Sequence, residues 1–342
     1  MKQNKITLKF TFIAAIFTLL FSIISENVSA KILTEKTNKS SMTAESWHFK
    51  REIIINNQGG AATDIVIQIK LNSNDFDFSK TKADGADIRF STSAGRLNDS
   101  GLSYWTEQWN ENGTTIIWVK VPVLKAKTRN SIFMFYGNFN AVPVSNGDKT
   151  FLFFDDFEEG DFTKKWTNTS VGEVIEKEGQ LKLKETDGQD GIVTANFNVT
   201  GKMIVRTSYQ REGADGHWVR AGVGGWNNWL AFGDHTDRAA SGTNYVMLFD
   251  SSSIGSLKSA PLIKSPNLVI TDKWRRAEYW FDGKKLYGKQ DDITVELLLK
   301  NAASKLALRT LDNDSWDNFA YISVSKYAGS EPKVTLGKEQ AN

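Results

Sequence analysis

The 342-residue chain contains no cysteine, five prolines and three histidines. Without cysteine, neither a disulfide framework nor a thiolate metal site can form. The histidines, His48, His217 and His235, lack the H-x-x-x-H type of spacing that a zinc site uses. The chain also lacks a G-x-S-x-G nucleophile signature and a phosphate-binding loop. These absences exclude the familiar motifs of serine hydrolases, nucleotide-binding proteins and zinc enzymes.

Long apolar runs are scarce as well. The run Phe10–Ile24 has fifteen residues, fewer than the roughly 20 that a membrane-spanning helix needs. Three lysines precede it, and the small residues Val28, Ser29 and Ala30 follow it. This order is typical of a secretory signal peptide cleaved after Ala30. We therefore expect a secreted protein (extracellular, cell-surface or periplasmic) with no membrane span in its mature form.

An excess of charge of one sign is also missing. The chain has 42 basic and 40 acidic residues, and residues 1–30 carry three lysines and one glutamate, which leaves 39 of each sign after cleavage. Nucleic-acid binding requires a strongly basic surface. We therefore expect no nucleic-acid partner.

What remains is rich in aromatic residues and in short β-type runs. Aromatic residues make up 12% of the chain, including 11 tryptophans. After a polar leader at 31–46, runs such as "FKREIIINN", "DIVIQIKL" and "GTTIIWVKVPVL" alternate with Gly- and Asn-containing turns up to the C-terminus, and only "DDITVELLLKNA" could form a helical turn. Many short strands between regular turns indicate a sandwich or jelly roll.

A segment with proline and Asn-Gly, Asn140–Thr150, divides these runs into two groups. The sequence thus predicts an all-β protein: two β-sandwich or jelly-roll domains in tandem, at 47–145 and 151–337, after a signal peptide (1–30) and a flexible leader (31–46). We expect the two domains to fold independently, with a protease-sensitive connection at Asn140–Thr150.

The first half carries the blocks "ADGADIRFSTSAG", "LSYWTEQWN", "IIWVKVPVL" and "FMFYGNFNA", followed by the junction "SNGDKTFLFFDDFEEGDFTKKW". In these blocks it resembles the family called domain of unknown function 2341, over residues 47–157. The resemblance implies a secreted or surface protein and supplies no catalytic residues.

The second half resembles a concanavalin A-like lectin/glucanase (laminin-G-like) sandwich, through "FDDF" and "KW" at its start and "WDNFAYISVSKY" at its end. That resemblance implies that the first and last strands of this half pair with each other.

Carboxylates are concentrated in "FLFFDDFEEGDFTKKW" at the start of the second half. Three hypotheses apply: a solvated turn, a structural calcium site, or a catalytic cluster. Calcium prefers oxygen ligands, and Asp155, Asp156 and, from the closing strand, Asp317 could supply them. The catalytic alternative is weak: "ETDGQD" (185–190) only approximates the E-x-D-x-x-E strand of laminarinase-type glucanases, and its Asp-Gly pair predicts a hairpin turn.

The best binding candidate is the Gly-rich segment "HWVRAGVGGWNNWLAFGDHTDR". Sugar rings have apolar faces and hydroxyl edges, so a glycan site combines an aromatic ring with polar side chains. The predicted set is Trp226, Asn227, Asn228, Arg220, Asp234 and Arg238. Packing of these aromatic residues in the core is the alternative.

These observations together predict a secreted protein without a catalytic motif that binds a glycan, such as a cell-surface polysaccharide, or another extracellular ligand through its C-terminal sandwich. A structural or adhesive surface component with a protein partner is the second hypothesis. A polysaccharide-degrading enzyme is the third. The one cofactor considered is structural calcium.

Overall fold

In the structure, a computed structural model, almost all regular elements are antiparallel β-strands, which confirms the predicted all-β fold class. It describes residues 47–95, 97, 101–187, 191–198, 202–212, 218–225, 228–237, 243–250, 262–264, 274–282, 285–290, 293–298, 305–311 and 316–342. The predicted signal peptide and leader lie outside this part of the chain. Within it, no helix has the length and apolar character needed to cross a membrane.

The strands and one short helix follow in chain order. They are β1 (Phe49–Asn57), β2 (Ala62–Leu71), β3 (Arg89–Ser91), β4 (Tyr104–Gln108), β5 (Thr115–Leu124), β6 (Thr128–Tyr136), α1 (Gly147–Thr150), β7 (Phe153–Asp155), β8 (Trp166–Asn168), β9 (Glu173–Glu176), β10 (Leu181–Lys184), β11 (Ile192–Asn198), β12 (Met203–Arg211), β13 (Trp218–Gly225), β14 (Asn228–Asp237), β15 (Thr243–Asp250), β16 (Leu262–Lys264), β17 (Arg275–Phe281), β18 (Lys285–Gln290), β19 (Ile293–Leu298), β20 (Lys305–Leu311), β21 (Asp317–Lys326) and β22 (Lys333–Ala341). Two 3-10 turns, Phe78–Lys80 and Phe162–Lys164, join them.

The first sandwich consists of two sheets. Sheet 1 has the strand order β22-β1-β6-β3, and sheet 2 has the order β2-β5-β4. Alternating isoleucines, such as Ile65, Ile67 and Ile69 in β2, are buried in the core between the two sheets. A strand presents every second side chain to one face, and this alternation leaves the other face of β2 directed away from that core.

The last strand of the chain belongs to this first sandwich. β22 pairs with β1, with Phe49 opposite Ala341 and Ile55 opposite Val334. Val334 and Leu336 pack against the first core. Residues 333–337, which the sequence analysis places at the end of the second domain, therefore lie in sheet 1.

The second sandwich also consists of two sheets. Sheet 3 has the order β19-β18-β17-β12-β21-β10-β9, and sheet 4 has the order β16-β15-β14-β13-β20-β11-β8. Residues 293–298, within the segment that could have formed a helical turn, instead form β19, which pairs with β18.

The first and closing strands of the second sandwich pair as predicted. β7 lies beside β21, with Phe153 opposite Val324 and Asp155 opposite Ile322. This pairing places the start of the second sandwich next to its end, so the chain can return to sheet 1 immediately after β21.

Sheet 2 packs on sheet 3 through a set of buried aromatic and aliphatic side chains, here called the interdomain cluster. Its members are Val66, Trp105, Ile116, Trp118, Phe151, Phe154 and Tyr321. The Trp105 ring lies 4.7 Å from the Phe154 ring and 5.0 Å from the Tyr321 ring, both edge to face. The two sandwiches therefore share an apolar contact in addition to their chain connection.

Residues 146–150, the second part of the predicted linker, pack against the interdomain cluster. Asn146 caps α1 by accepting a hydrogen bond from the Lys149 amide at 2.8 Å. Gly147 is buried, and a Cβ atom at this position would lie 2.1 Å from the Phe154 ring. Only glycine fits there. Val142 and Val144, earlier in the linker, are exposed.

Candidate functional site

A cleft of about 440 Å³ lies where sheet 2 meets sheet 3. Ligand sites commonly occupy clefts of this size between domains. β4 of the first sandwich contributes one wall, and β12, β17 and β21 of the second contribute the other. The lining residues are Glu107, Gln108, Ser208, Trp274, Arg275, Arg276, Ala320 and Tyr321.

Strand register determines which side chains of sheet 3 point into this cleft. Ser208 of β12 lies opposite both Arg276 of β17 and Tyr321 of β21. Val205 and Tyr279, at the alternate positions, are buried in the second core. Ser208 and Arg276 consequently lie on the outer face of sheet 3, toward the first sandwich.

Glu107 connects the two walls of the cleft. Its Oε1 accepts a hydrogen bond from Arg276 Nε at 2.6 Å, and its Oε2 accepts one from Trp118 Nε1 at 2.8 Å. Arg276 also donates to Gln108 Oε1 at 3.1 Å. Since the Glu107 side chain is only 5% exposed, this carboxylate links the interdomain cluster to a cation at the edge of the cleft.

Trp274 supplies the aromatic surface of the cleft. With 37% of its surface exposed, it contrasts with Trp47, Trp105, Trp118 and Trp166, which are buried. A tryptophan that lies at the surface beside hydrogen-bonding groups can present its apolar ring to a ligand. The cleft thus combines one exposed ring with carboxylate, amide, guanidinium and hydroxyl groups.

A second charged group lies further along the interface, around Arg206. Its guanidinium lies over the Trp118 ring, 4.4 Å from the centroid, and donates to Ser325 Oγ at 2.9 Å. It pairs with Glu331 at 2.5 Å and with Glu278 at 3.7 Å. Burial raises the pKa of Glu278, and the nearby Glu331 charge raises it further, while the Arg206 charge acts in the opposite direction.

The predicted calcium ligands are not brought together. Asp155 is buried and accepts hydrogen bonds from Trp166 Nε1 at 2.6 Å and from the Phe157 amide at 3.0 Å. Its partner on β21 is Ile322, five residues from Asp317. At about 3.3 Å per residue this offset is roughly 17 Å, too far for one ion to bind both carboxylates.

The other acids of this segment are either partly buried or have partners on neighbouring residues. Burial raises the pKa of Asp156. Asp161 accepts from the Thr163 amide at 3.2 Å at the start of a 3-10 turn, and Glu159 pairs with Lys164 at 3.3 Å. Among the described residues, no group of three or more acidic, histidine or cysteine side chains could hold a metal. Calcium binding therefore stays a prediction.

The "ETDGQD" segment has the turn geometry that its Asp-Gly pair predicts. Asp187 lies in a turn after β10 with a φ of +53°, a left-handed conformation that interrupts a regular strand. Residues 188–190 are outside the described part of the chain. The two described acids of this segment, Glu185 and Asp187, thus do not lie along one regular strand.

The predicted glycan residues fall partly outside the described residues: Trp226, Asn227 and Arg238 are among those omitted. For Arg220, Asn228 and Asp234 only the backbone is described. Asn228 pairs with Gly225, five residues along β13 from Arg220, which again corresponds to about 17 Å. Arg220 and Asn228 therefore lie at different positions along the sheet, and the role of this segment in binding stays a prediction.

Sequence reasoning did not identify the cleft residues, although one signal was available. In "WRRAEYWF", the residues Trp274, Arg276, Glu278 and Trp280 occur at every second position. Such an alternation predicts that polar and aromatic side chains share one face of a strand. That this face meets β4 of another sandwich could not be predicted from the alternation.

Comparison with known proteins agrees with the first resemblance. The family described as "Domain of unknown function (DUF2341)" matches residues 84–169. No curated protein matches the chain.

Several solved structures are similar to part of the chain. A glycosyl hydrolase family protein from Mycobacterium fortuitum is 11% identical with a TM-score of 0.39, over 51% of this chain and 99% of its own. A laminarinase from Flavobacterium sp. UMI-01 is 11% identical with a TM-score of 0.40, over 52% and 100%. The carbohydrate-binding module CBM66 from Bacillus subtilis is 11% identical with a TM-score of 0.37, over 47% and 96%.

Proposed function

We propose that the protein is a secreted, non-catalytic binding protein that recognises a glycan in the cleft between its two sandwiches. The observation that carries this proposal is the exposed Trp274 ring beside the Arg276–Glu107 pair. A sugar ring can lie on the indole, while its hydroxyl groups exchange hydrogen bonds with the neighbouring polar side chains. The signal-peptide pattern of residues 1–30 supports export to where such glycans occur.

The surroundings of Glu278 and Glu331 support the non-catalytic part of the proposal. Glu278 and Glu331 both pair with Arg206. Arg206 is buried against Trp118, so both carboxylates are directed toward a fixed cation. A glycosidase needs one carboxyl group to protonate the leaving group and a second to act as nucleophile or base. Glu278 and Glu331 are instead both engaged by one buried guanidinium, so the pair is arranged around a cation rather than on the two sides of a glycosidic bond.

A pull-down on insoluble polysaccharides with residues 31–342 tests the proposal. We expect the chain to bind at least one neutral polysaccharide, and Trp274→Ala to weaken that binding about tenfold or more, as truncation of a central aromatic contact does. Phe139→Ala is the matched control because Phe139 is also an exposed aromatic residue but does not line the cleft. Equal binding by both variants and the wild type would overturn the proposed site.

Reducing-sugar release from the same polysaccharides tests the non-catalytic part. We expect none above background. Release that disappears in Glu278→Gln would instead identify an enzyme.

A further inference from the structure

The outer face of β17 forms a continuous strip of partly exposed side chains, here called the β17 strip. It consists of Trp274, just before the strand, followed by Arg276, Glu278 and Trp280. Ala277 and Tyr279, which alternate with these residues, are on the opposite face, in the second core. The strip begins in the cleft described above and continues past it along the edge of the first sandwich.

Trp280 gives the far end of the strip a second aromatic surface. Its ring stacks on Tyr287 of β18, with centroids 5.3 Å apart and an interplanar angle of 8°, and lies 6.0 Å from the Tyr327 ring. Tyr327 and Glu331 line a second cavity, of about 260 Å³, between β2 and the segment that leads into β22. The strip therefore begins in the first cleft, and its far end contacts Tyr327 at the border of the second cavity.

The length of the strip indicates the size of its ligand. The two tryptophans are six positions apart in the sequence, which corresponds to about 20 Å along a strand. Such a distance exceeds the length of a single sugar ring several-fold. A ligand that contacts both rings must be an extended chain.

The charges along the strip indicate the chemical class of that chain. Arg276 is paired with Glu107. Glu278 lies opposite Lys289 on β18 and close to Arg206. Because cations and anions alternate, the strip has no field of one sign that would attract a polyanion. An uncharged chain matches this surface better than a sulfated or uronic-acid polymer.

We infer that the β17 strip binds a linear, uncharged polysaccharide along its length, with Trp274 and Trp280 each contacting a different sugar residue. This inference rests on the proposed glycan-binding function and adds the length and charge of the ligand. It predicts that affinity depends on the length of the saccharide.

Isothermal titration with neutral oligosaccharides of two and six sugar units, from the β-1,3-glucan, β-1,4-glucan, β-1,4-mannan and β-1,4-xylan series, tests the inference. In the series that binds, we expect the six-unit form to bind at least tenfold more tightly than the two-unit form. Trp280→Ala should remove this advantage and leave binding of the two-unit form unchanged. Trp280→Phe retains an aromatic ring with a smaller contact area. It should keep part of the length advantage if Trp280→Ala acts by removing contact area and not by unfolding the protein.

The outcomes separate this inference from the proposed function. Equal affinity for both lengths, or an unaltered length advantage in a folded Trp280→Ala variant, overturns the β17 strip but leaves the cleft at Trp274 as a site. Failure of every saccharide to bind overturns the proposed function and the strip together. Tighter binding of a polygalacturonate than of the neutral chains overturns the assignment of an uncharged ligand.

Discussion

Glu107→Gln tests whether one buried carboxylate holds the cleft together. The substitution preserves the shape of the side chain but removes its charge and replaces one oxygen by an amide group. Glu107 accepts from Arg276 through one oxygen and from Trp118 through the other. In the variant, one of these two N–H groups must face another donor.

The expected cost follows from the burial of the three groups. A hydrogen bond to a charged group contributes about 1.5–3 kcal/mol to stability. The Arg276 side chain is 43% exposed, so water can solvate it after the pair is broken, and we take the lower part of this range, about 2 kcal/mol. For an unfolding unit of about 150–250 residues, such as the second sandwich, each kcal/mol lowers Tm by roughly 2–4 °C, so we expect the melting transition of that sandwich to decrease by about 4–8 °C.

Differential scanning fluorimetry of the wild type and the variant measures this decrease. Glu159→Gln is the matched control, because Glu159 is half-exposed and its shorter ion pair, with Lys164, is at the surface. Surface ion pairs contribute about 0–1 kcal/mol, so the control should melt within about 2 °C of the wild type. If Glu107→Gln melts like Glu159→Gln, Glu107 does not connect the two sandwiches as described.

Two further predictions concern the ends of the first sandwich. Burial of Glu339 on β22 raises its pKa, but hydrogen bonds from Lys80 and Tyr136 outweigh this effect and hold the pKa below the ordinary 4.5. The contribution of the Glu339 carboxylate to stability is therefore present above about pH 4.5 and is lost as the pH falls further. The difference in Tm between the wild type and Glu339→Gln should accordingly be larger at pH 7 than at pH 3. An equal difference at both pH values would contradict this role of Glu339. Limited proteolysis should cut the chain at 140–145, before α1. The two fragments should nevertheless co-elute in gel filtration, because β22 and the interdomain cluster join them. Separate elution would show that the two sandwiches do not stay associated.

Much of the fold could be predicted from local patterns. Runs such as "DIVIQIKL" alternate isoleucine with other residues, and their structure follows from this period of two. The pairing of β7 with β21 was implied by the resemblance of residues at the two ends of the second sandwich and is confirmed.

The return of β22 to sheet 1 could not be predicted in this way. Its sequence, "KVTLGKEQA", has a strand pattern but contains no information about its partner. Pairing across more than about 270 residues depends on the position of β1 after both sandwiches have formed. Because the second half resembles a single sandwich, residues 333–337 were assigned to the second domain, whereas they lie in sheet 1 of the first sandwich.

The sites were predictable only where one segment contained all the necessary residues. The local partners of Glu159 and Asp161 agree with the turn hypothesis, whereas Asp155 is a buried residue of β7 that bonds to Trp166. Calcium binding stays a prediction, but strand register separates Asp317 from Asp155, and the sequence pattern contains no information about that register. The cleft combines β4 with β12, β17 and β21, and no local pattern encodes such a combination.

A crystal structure of residues 31–342 with a bound neutral six-unit saccharide from the series that binds is the most direct test of the glycan-binding cleft. We expect a sugar ring against the Trp274 indole, hydroxyl groups within hydrogen-bonding distance of Arg276 or Gln108, and the saccharide chain running along β17 toward Trp280. A saccharide bound at the turn around Trp226, with the cleft between the sandwiches empty, would contradict it.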